Sequence, residues 1–152
     1  NLRERTEESV LRALEEGRTF SEFSKDFDGM TEALGIAPAK PWYVETIFRT
    51  NLQTAYGAGR YRAITDPDIA EARPYVEYRT VDDARVRDEH RPLHGLVFDV
   101  TSEEWRRIAP PNGFNCRCSM VTLSKQERGE REVATSVPDD YVPTPEFDGP
   151  PI

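Results

Sequence analysis

Cysteine and histidine are scarce in this 152-residue chain, with two of each. Two cysteines build no disulfide framework. Cys116 and Cys118 are two apart, and a bridge over so short a spacing closes a strained ring, so a reduced, cytosolic setting is the expectation. Long apolar runs are missing as well. No window approaches the roughly 20 apolar residues that a bilayer span requires. The opening Asn-Leu-Arg-Glu-Arg lacks the apolar centre of a signal peptide. Its first residue is Asn rather than Met, which points to a piece of something longer. Hydrophobic residues make up 37%, below the usual share for a soluble domain. A modest core is therefore expected, with part of the chain extended or covered by a partner. Excess basic charge is missing too. A net charge of −8 argues against a general nucleic-acid binder, although Arg60, Arg62, Arg85 and Arg87 would form a local basic patch if gathered on one face. There is no internal repeat. No Gly-rich phosphate loop follows a strand, and Tyr56-Gly-Ala-Gly-Arg60 sits inside a helical pattern instead.

What is present suggests an α+β fold: a helical N-terminal third, a small antiparallel sheet with irregular loops, and an extended Pro-rich tail. A first helix is expected over 6–16, capped by Thr6 and ended by Gly17. Thr19 and Glu22 have the capping-box spacing ahead of a second helix over 20–34. Phe20, Phe23, Phe27, Met30 and Leu34 form its apolar side. Pro41 opens the longest helical pattern, which Asp66-Pro67-Asp68 breaks. Ala55, Gly57, Ala58 and Gly59 make a small-residue section that admits a close backbone neighbour. Strands are expected over 74–80, 97–100 and 118–123, a helical turn capped by Thr101 or Ser102 between the last two, and a turn at Pro110-Pro111-Asn112-Gly113. A charged run over 125–132 reads as a solvated helical turn or linker. The tail from 137 holds five of the 12 prolines and cannot pack a core alone. It could lie along another subunit.

Both histidines and both cysteines fall between Thr80 and Ser119. Three chemistries fit that gathering. His90, His94, Cys116 and Cys118 are a candidate zinc set, since imidazole and thiolate are good zinc ligands. Against it, C-x-C chelates less readily than C-x2-C, and Pro92 disturbs a regular helix between the histidines. Asp82, Asp83, Arg85, Arg87, Glu89 and His90 are a candidate polar network, in which Arg forks grip carboxylates and pin irregular backbone. Finally, His with an acid or thiol could do acid–base or nucleophilic chemistry, but no ordered catalytic set is visible.

Three motifs carry a family resemblance. Phe48-Arg-Thr-Asn-Leu-Gln-Thr-Ala-Tyr-Gly-Ala-Gly-Arg60 is the first. The second runs from Thr80-Val-Asp-Asp-Ala-Arg85-Val-Arg87-Asp-Glu-His90 to Leu93-His94-Gly95. Pro110-Pro-Asn-Gly-Phe-Asn-Cys116-Arg-Cys118 is the third. In this order they resemble the phage Mu protein F-like minor head proteins, also called head-morphogenesis proteins. Gly57 and His94 depart from that family's usual residues, which makes His94 the least secure member of the metal set. The resemblance implies a non-enzymatic minor capsid protein of a tailed phage or prophage-derived particle. It would sit at the portal vertex or capsid interior and assist head assembly, DNA packaging or DNA delivery. Its partners would be the portal protein and the major capsid protein, with DNA contact open. Its location would be the virion, after assembly in the bacterial cytoplasm. The expected organisation is an N-terminal helical segment over 1–40, the head-morphogenesis domain over 41–124, and a charged linker and tail over 125–152. Asn51, Tyr56 and Arg60 are the expected partner-binding residues. The alternative is a metal-dependent nuclease using His90 with Asp82 or Asp83.

Overall fold

A computed structural model describes residues 1–151. It divides into two compact units, Asn1–Leu52 and Gln53–Ile152.

In the first unit, helix α1 spans Leu2–Glu16. It begins four residues earlier than the sequence suggested, because Asn1 rather than Thr6 is the cap. The Asn1 side chain accepts from the Glu4 amide while Glu4 reaches back to the cap. Thr6 instead donates its hydroxyl to the Leu2 carbonyl one turn back. Gly17 ends the helix with φ 63°, a left-handed conformation that only glycine adopts without strain. Helix α2, Phe20–Ala33, starts at the Thr19/Glu22 capping box. Phe23 and Phe27 come from its apolar side and are fully buried. They join Val10 and Ala13 of α1 and Val44 of helix α3, Pro41–Thr65. Phe48 stacks tilted against Phe23 at 5.2 Å and Phe20 at 5.7 Å. Each such ring removed from water contributes about 1.5–3 kcal/mol. The unit is held chiefly by apolar and aromatic burial.

The second unit takes the later part of α3, then α4, Pro67–Ala72. Strands β1 (Tyr75–Arg79), β2 (Val97–Asp99) and β3 (Ser119–Leu123) form an antiparallel sheet in the order β2-β1-β3. Val76 lies opposite Phe98 and Thr122, and Tyr78 opposite Met120. The strand period of two sends Val76 and Tyr78 to the core face. Helix α5, Glu103–Ile108, is capped by Ser102 and buries Trp105 against Phe98. On the other side of β1, Glu77 is gripped by Arg79 at 3.0 Å and Arg131 at 2.9 Å. A last helical turn, α6, spans Lys125–Arg128.

Within the small-residue section of α3, Gly57 serves internal packing. A Cβ on Gly57 would lie 2.7 Å from the Pro110 carbonyl oxygen and 2.8 Å from Pro111 Cδ. The helix can meet the proline turn this closely only because residue 57 has no side chain. The Pro-rich tail also finds cover within its own unit. Val133 bridges Val97, Tyr141 enters the core, Phe147 meets Phe114 edge-on at 5.2 Å, and Pro151 reaches Gly57. Among the described residues no helix is long and apolar enough to cross a membrane.

Candidate metal centre

Residues between β1 and β2 reach the centre through a 3-10 turn, Asp88–Leu93. The i+3 geometry accommodates Pro92, which an α-helix would exclude. The turn buries His90, at 3% exposure. The segment after α5 supplies the thiols. It passes Pro110-Pro111 through a cis peptide bond and turns at Asn115, φ 56°, and Cys116 and Cys118 follow just ahead of β3. His90 Nδ1 lies 4.0 Å from Cys116 Sγ and 3.7 Å from Cys118 Sγ. The three ligand atoms fall within 4.8 Å of one another, and no other His, Cys, Asp or Glu among the described residues joins them. His94 lies outside the group. Its Nδ1 accepts from the Thr80 amide at 3.1 Å and meets the Thr80 hydroxyl at 2.8 Å, so it fixes the exit of β1.

The thiols share their proton unequally. Cys118 donates to Cys116, and His90 and the backbone at Asn112 and Cys118 add further hydrogen bonds. Together they outweigh burial and bring the Cys116 thiol down to about 4. Cys118, donor to that thiolate and itself buried, is pushed up. A ready thiolate beside an imidazole is the donor chemistry that soft divalent metals prefer.

A buried polar wall surrounds the centre. Tyr78 donates its hydroxyl to Asn112 Oδ1 at 2.6 Å, and Asn112 Nδ2 donates to the Ile108 carbonyl at 3.0 Å. Burial pushes the Tyr78 phenol well above its ordinary value. Tyr141 packs its ring 6.4 Å from that of His90. Burial raises its phenol to about 12; Asn112 pulls the other way, but no hydrogen bond of normal geometry satisfies the hydroxyl.

Arginines fasten the outer loops. Arg117, between the two cysteines, holds Asp83 with two bonds of 2.7 Å. That fork keeps the Asp83 carboxyl down at about 2. Arg87 donates to the Phe114 carbonyl at 2.6 Å, and Arg91 to the Val86 carbonyl at 3.0 Å. Asp83 and Arg87 thus take part, but with Arg117 and a backbone carbonyl rather than with each other. Arg85 contributes its backbone amide to Asp83. Asp82 sits at φ 56° with its amide on Thr80 Oγ1. Glu89, beside His90, enters no ion pair among the described residues. Along α3, Asn51 donates to the Ile47 carbonyl and Arg60 to the Met120 carbonyl, while Tyr56 stands 63% exposed.

Sequence reasoning missed Arg117, Asn112, Tyr78 and Tyr141. Asn112 read as turn chemistry, and Tyr141 lay in a tail without core periodicity. Long-range folding brings Tyr78 and Tyr141 to the thiols, whereas Asn112 and Arg117 lie beside them in the sequence.

Comparison with known proteins supports the motif reading. The sequence profile described as Phage Mu protein F like protein matches residues 4–121. The putative capsid assembly protein F of Escherichia phage Mu is 34% identical over 93% of this chain and 35% of its own length. The Mu-like prophage FluMu F protein of Haemophilus influenzae is 37% identical over 70% of this chain and 25% of its own length. The chain therefore spans about a third and a quarter of these two relatives. An uncharacterised protein of Methanocaldococcus jannaschii is 47% identical over 32% of the chain and 8% of its own length. No solved structure matches. With three ordered motifs, a profile covering most of its residues and two relatives above 30% identity, this chain belongs to the Phage Mu protein F like family.

Proposed function

We propose that this chain is a minor head protein that assists assembly of a phage or prophage-derived capsid. The observation that carries the reading is the match along 93% of the chain to a protein named for capsid assembly. In this reading the chain works at the portal vertex or capsid interior, meets the portal and major capsid proteins, and assists DNA packaging or delivery. It resides in the virion after assembly in the bacterial cytoplasm. Residues 41–124 form the head-morphogenesis domain, with a helical segment over 1–40 and a linker and tail over 125–152. Tyr56 leads the partner-facing residues Asn51, Tyr56 and Arg60, because it is a large ring standing 63% exposed, whereas the Asn51 and Arg60 side chains are already bonded to the Ile47 and Met120 carbonyls. A zinc ion held at His90, Cys116 and Cys118 braces the domain that those partners meet.

The nuclease reading is weaker. The groups gathered at His90 are thiols, and the Asp83 carboxylate is occupied by Arg117. The deciding experiment is co-purification. The chain, expressed with the portal and major capsid proteins of its phage, is expected to travel with portal rings or heads through a gradient. A chain that stays free and is missing from finished particles would refute the assembly role. Incubation with plasmid DNA and magnesium or manganese is expected to leave the DNA intact; cleavage lost in His90→Ala would restore the nuclease.

A further inference from the structure

We propose that His90 Nδ1 and the Sγ atoms of Cys116 and Cys118 bind one zinc ion, whose fourth ligand is a water molecule. The distances carry the first step. Zinc bonds of about 2.3 Å to sulfur and about 2.0–2.1 Å to nitrogen imply tetrahedral edges of about 3.6 Å between N and S. His90 Nδ1 already stands 3.7 and 4.0 Å from the two sulfurs. On these two N–S edges, closing onto an ion needs only a few tenths of an ångström.

Apolar filling by the thiols does not account for the arrangement. An imidazole that merely packed needs one polar partner for its nitrogen. His90 Nδ1 instead faces both sulfurs at once, and one N–H or one lone pair is directed at a single partner. A metal ion would engage all three atoms together. Position supports the same conclusion. The ligands come from the connection between β1 and β2 and from the turn entering β3, two irregular segments without a strand ladder of their own. One ion ties them together, as small domains with limited cores commonly require.

Four-coordination leaves one place unfilled by protein. His94 is committed to Thr80, and no further His, Cys, Asp or Glu among the described residues joins the group. Water fills that place. Tyr141, whose ring packs beside that of His90, buries a hydroxyl with no hydrogen bond of normal geometry, a polar group near the centre.

The test uses the full chain, purified without chelators. Elemental analysis is expected to find one zinc per chain. X-ray absorption at the zinc edge should read two sulfurs and two lighter atoms, with the outer-shell signature of a single imidazole. Cobalt loaded into the stripped protein should show thiolate charge-transfer absorption and the strong visible bands of a tetrahedral site. His94→Ala should keep both stoichiometry and spectrum, whereas Cys116→Ser with Cys118→Ser should lose the charge-transfer band. Should the double variant not fold, the native cobalt spectrum and His94→Ala still decide. A native chain that takes up neither ion overturns the site. Two imidazoles at the zinc edge, or loss of metal in a folded His94→Ala chain, overturns the three-ligand assignment. These readings need no particle, so zinc can fail while the capsid role stands, and the reverse.

Discussion

The two units of this chain solve the same stability problem with different materials. Asn1–Leu52 is three helical stretches around rings: Phe23, Phe27 and Phe48 with Val10, Ala13 and Val44. Apart from Thr31 and the Ser9 hydroxyl, which are buried, its polar chemistry lies at helix ends and on the surface. Gln53–Ile152 has a three-stranded sheet, much irregular loop, and polar groups inside: His90, Asn112, Glu77 and two thiols. Helices satisfy their own backbone, so side-chain burial can hold them. Loops do not, and arginine forks, buried amides and thiols must serve instead. The lesson is that the chain's rare residues collect where regular structure runs out.

The sharpest way to break this comparison is to remove one large core side chain from each unit. Phe23→Ala and Trp105→Ala should each cost about 3–5 kcal/mol, as fully buried aromatics do. Segment-resolved hydrogen exchange on the full chain should show Phe23→Ala exposing amides within 1–52 and Trp105→Ala exposing those within 53–152. Equal loss of protection along the whole chain in either variant would show that the units do not differ in what holds them.

Next in size is a pair of glycines on one helix. Gly57→Ala forces a methyl to within 2.7 Å of backbone at Pro110, and should cost about 1–3 kcal/mol. Gly59→Ala meets nothing within 4 Å and should stabilise by about 0.5–1 kcal/mol through helix propensity. Urea melts compare the two. Similar effects of the same sign would mean that the proline turn does not press on α3.

How far the sequence foretold all this follows the same division. Helices announced themselves: the Thr19/Glu22 box, Gly17, Pro41 and the Asp66-Pro67 break stand where the chain's local chemistry put them. The three strands were legible from their β-branched and aromatic content. The α1 start was misplaced because Asn1 caps as well as threonine does and lies one turn earlier. At the centre, scarcity pointed to His90, Cys116 and Cys118, since rare residues gather for a reason. It could not separate His94 from them. Four residues of spacing look alike whether the turn delivers one imidazole inward or two, and only the Thr80 contact distinguishes them. Arg117 as the partner of Asp83, 34 residues away, leaves no local trace at all.

A smaller effect sharpens the account of the helical unit. The Thr19 hydroxyl accepts from the Glu22 amide at 3.4 Å, while Glu22 accepts from the Thr19 amide at 2.8 Å. Thr19→Ala should cost about 1 kcal/mol, the usual value for a lost cap. Exchange should speed in the first turn of α2 and leave residues 53–152 unchanged. Faster exchange throughout would tie the units together.

The smallest effect concerns acid, and it should fall more heavily on the second unit. The Arg117 fork holds Asp83 at about 2, below its unfolded value near 3.8. Burial raises the Glu77 carboxyl, but the bonds from Arg79 and Arg131 outweigh it and leave it lowered. A carboxyl depressed by folding lends stability above its unfolded pKa and withdraws it as pH falls towards the folded one. Asp83 therefore loses its contribution between about pH 4 and pH 2. Asp83→Asn keeps the shape and removes the titration. The gap between native and variant urea midpoints should be small at pH 7, because the pair is partly exposed to solvent. It should narrow steadily below pH 4. Every other group titrates in both proteins and cancels in the difference, so a gap that stays constant to pH 3 would mean that the fork adds shape to the loop and no charge-dependent stability.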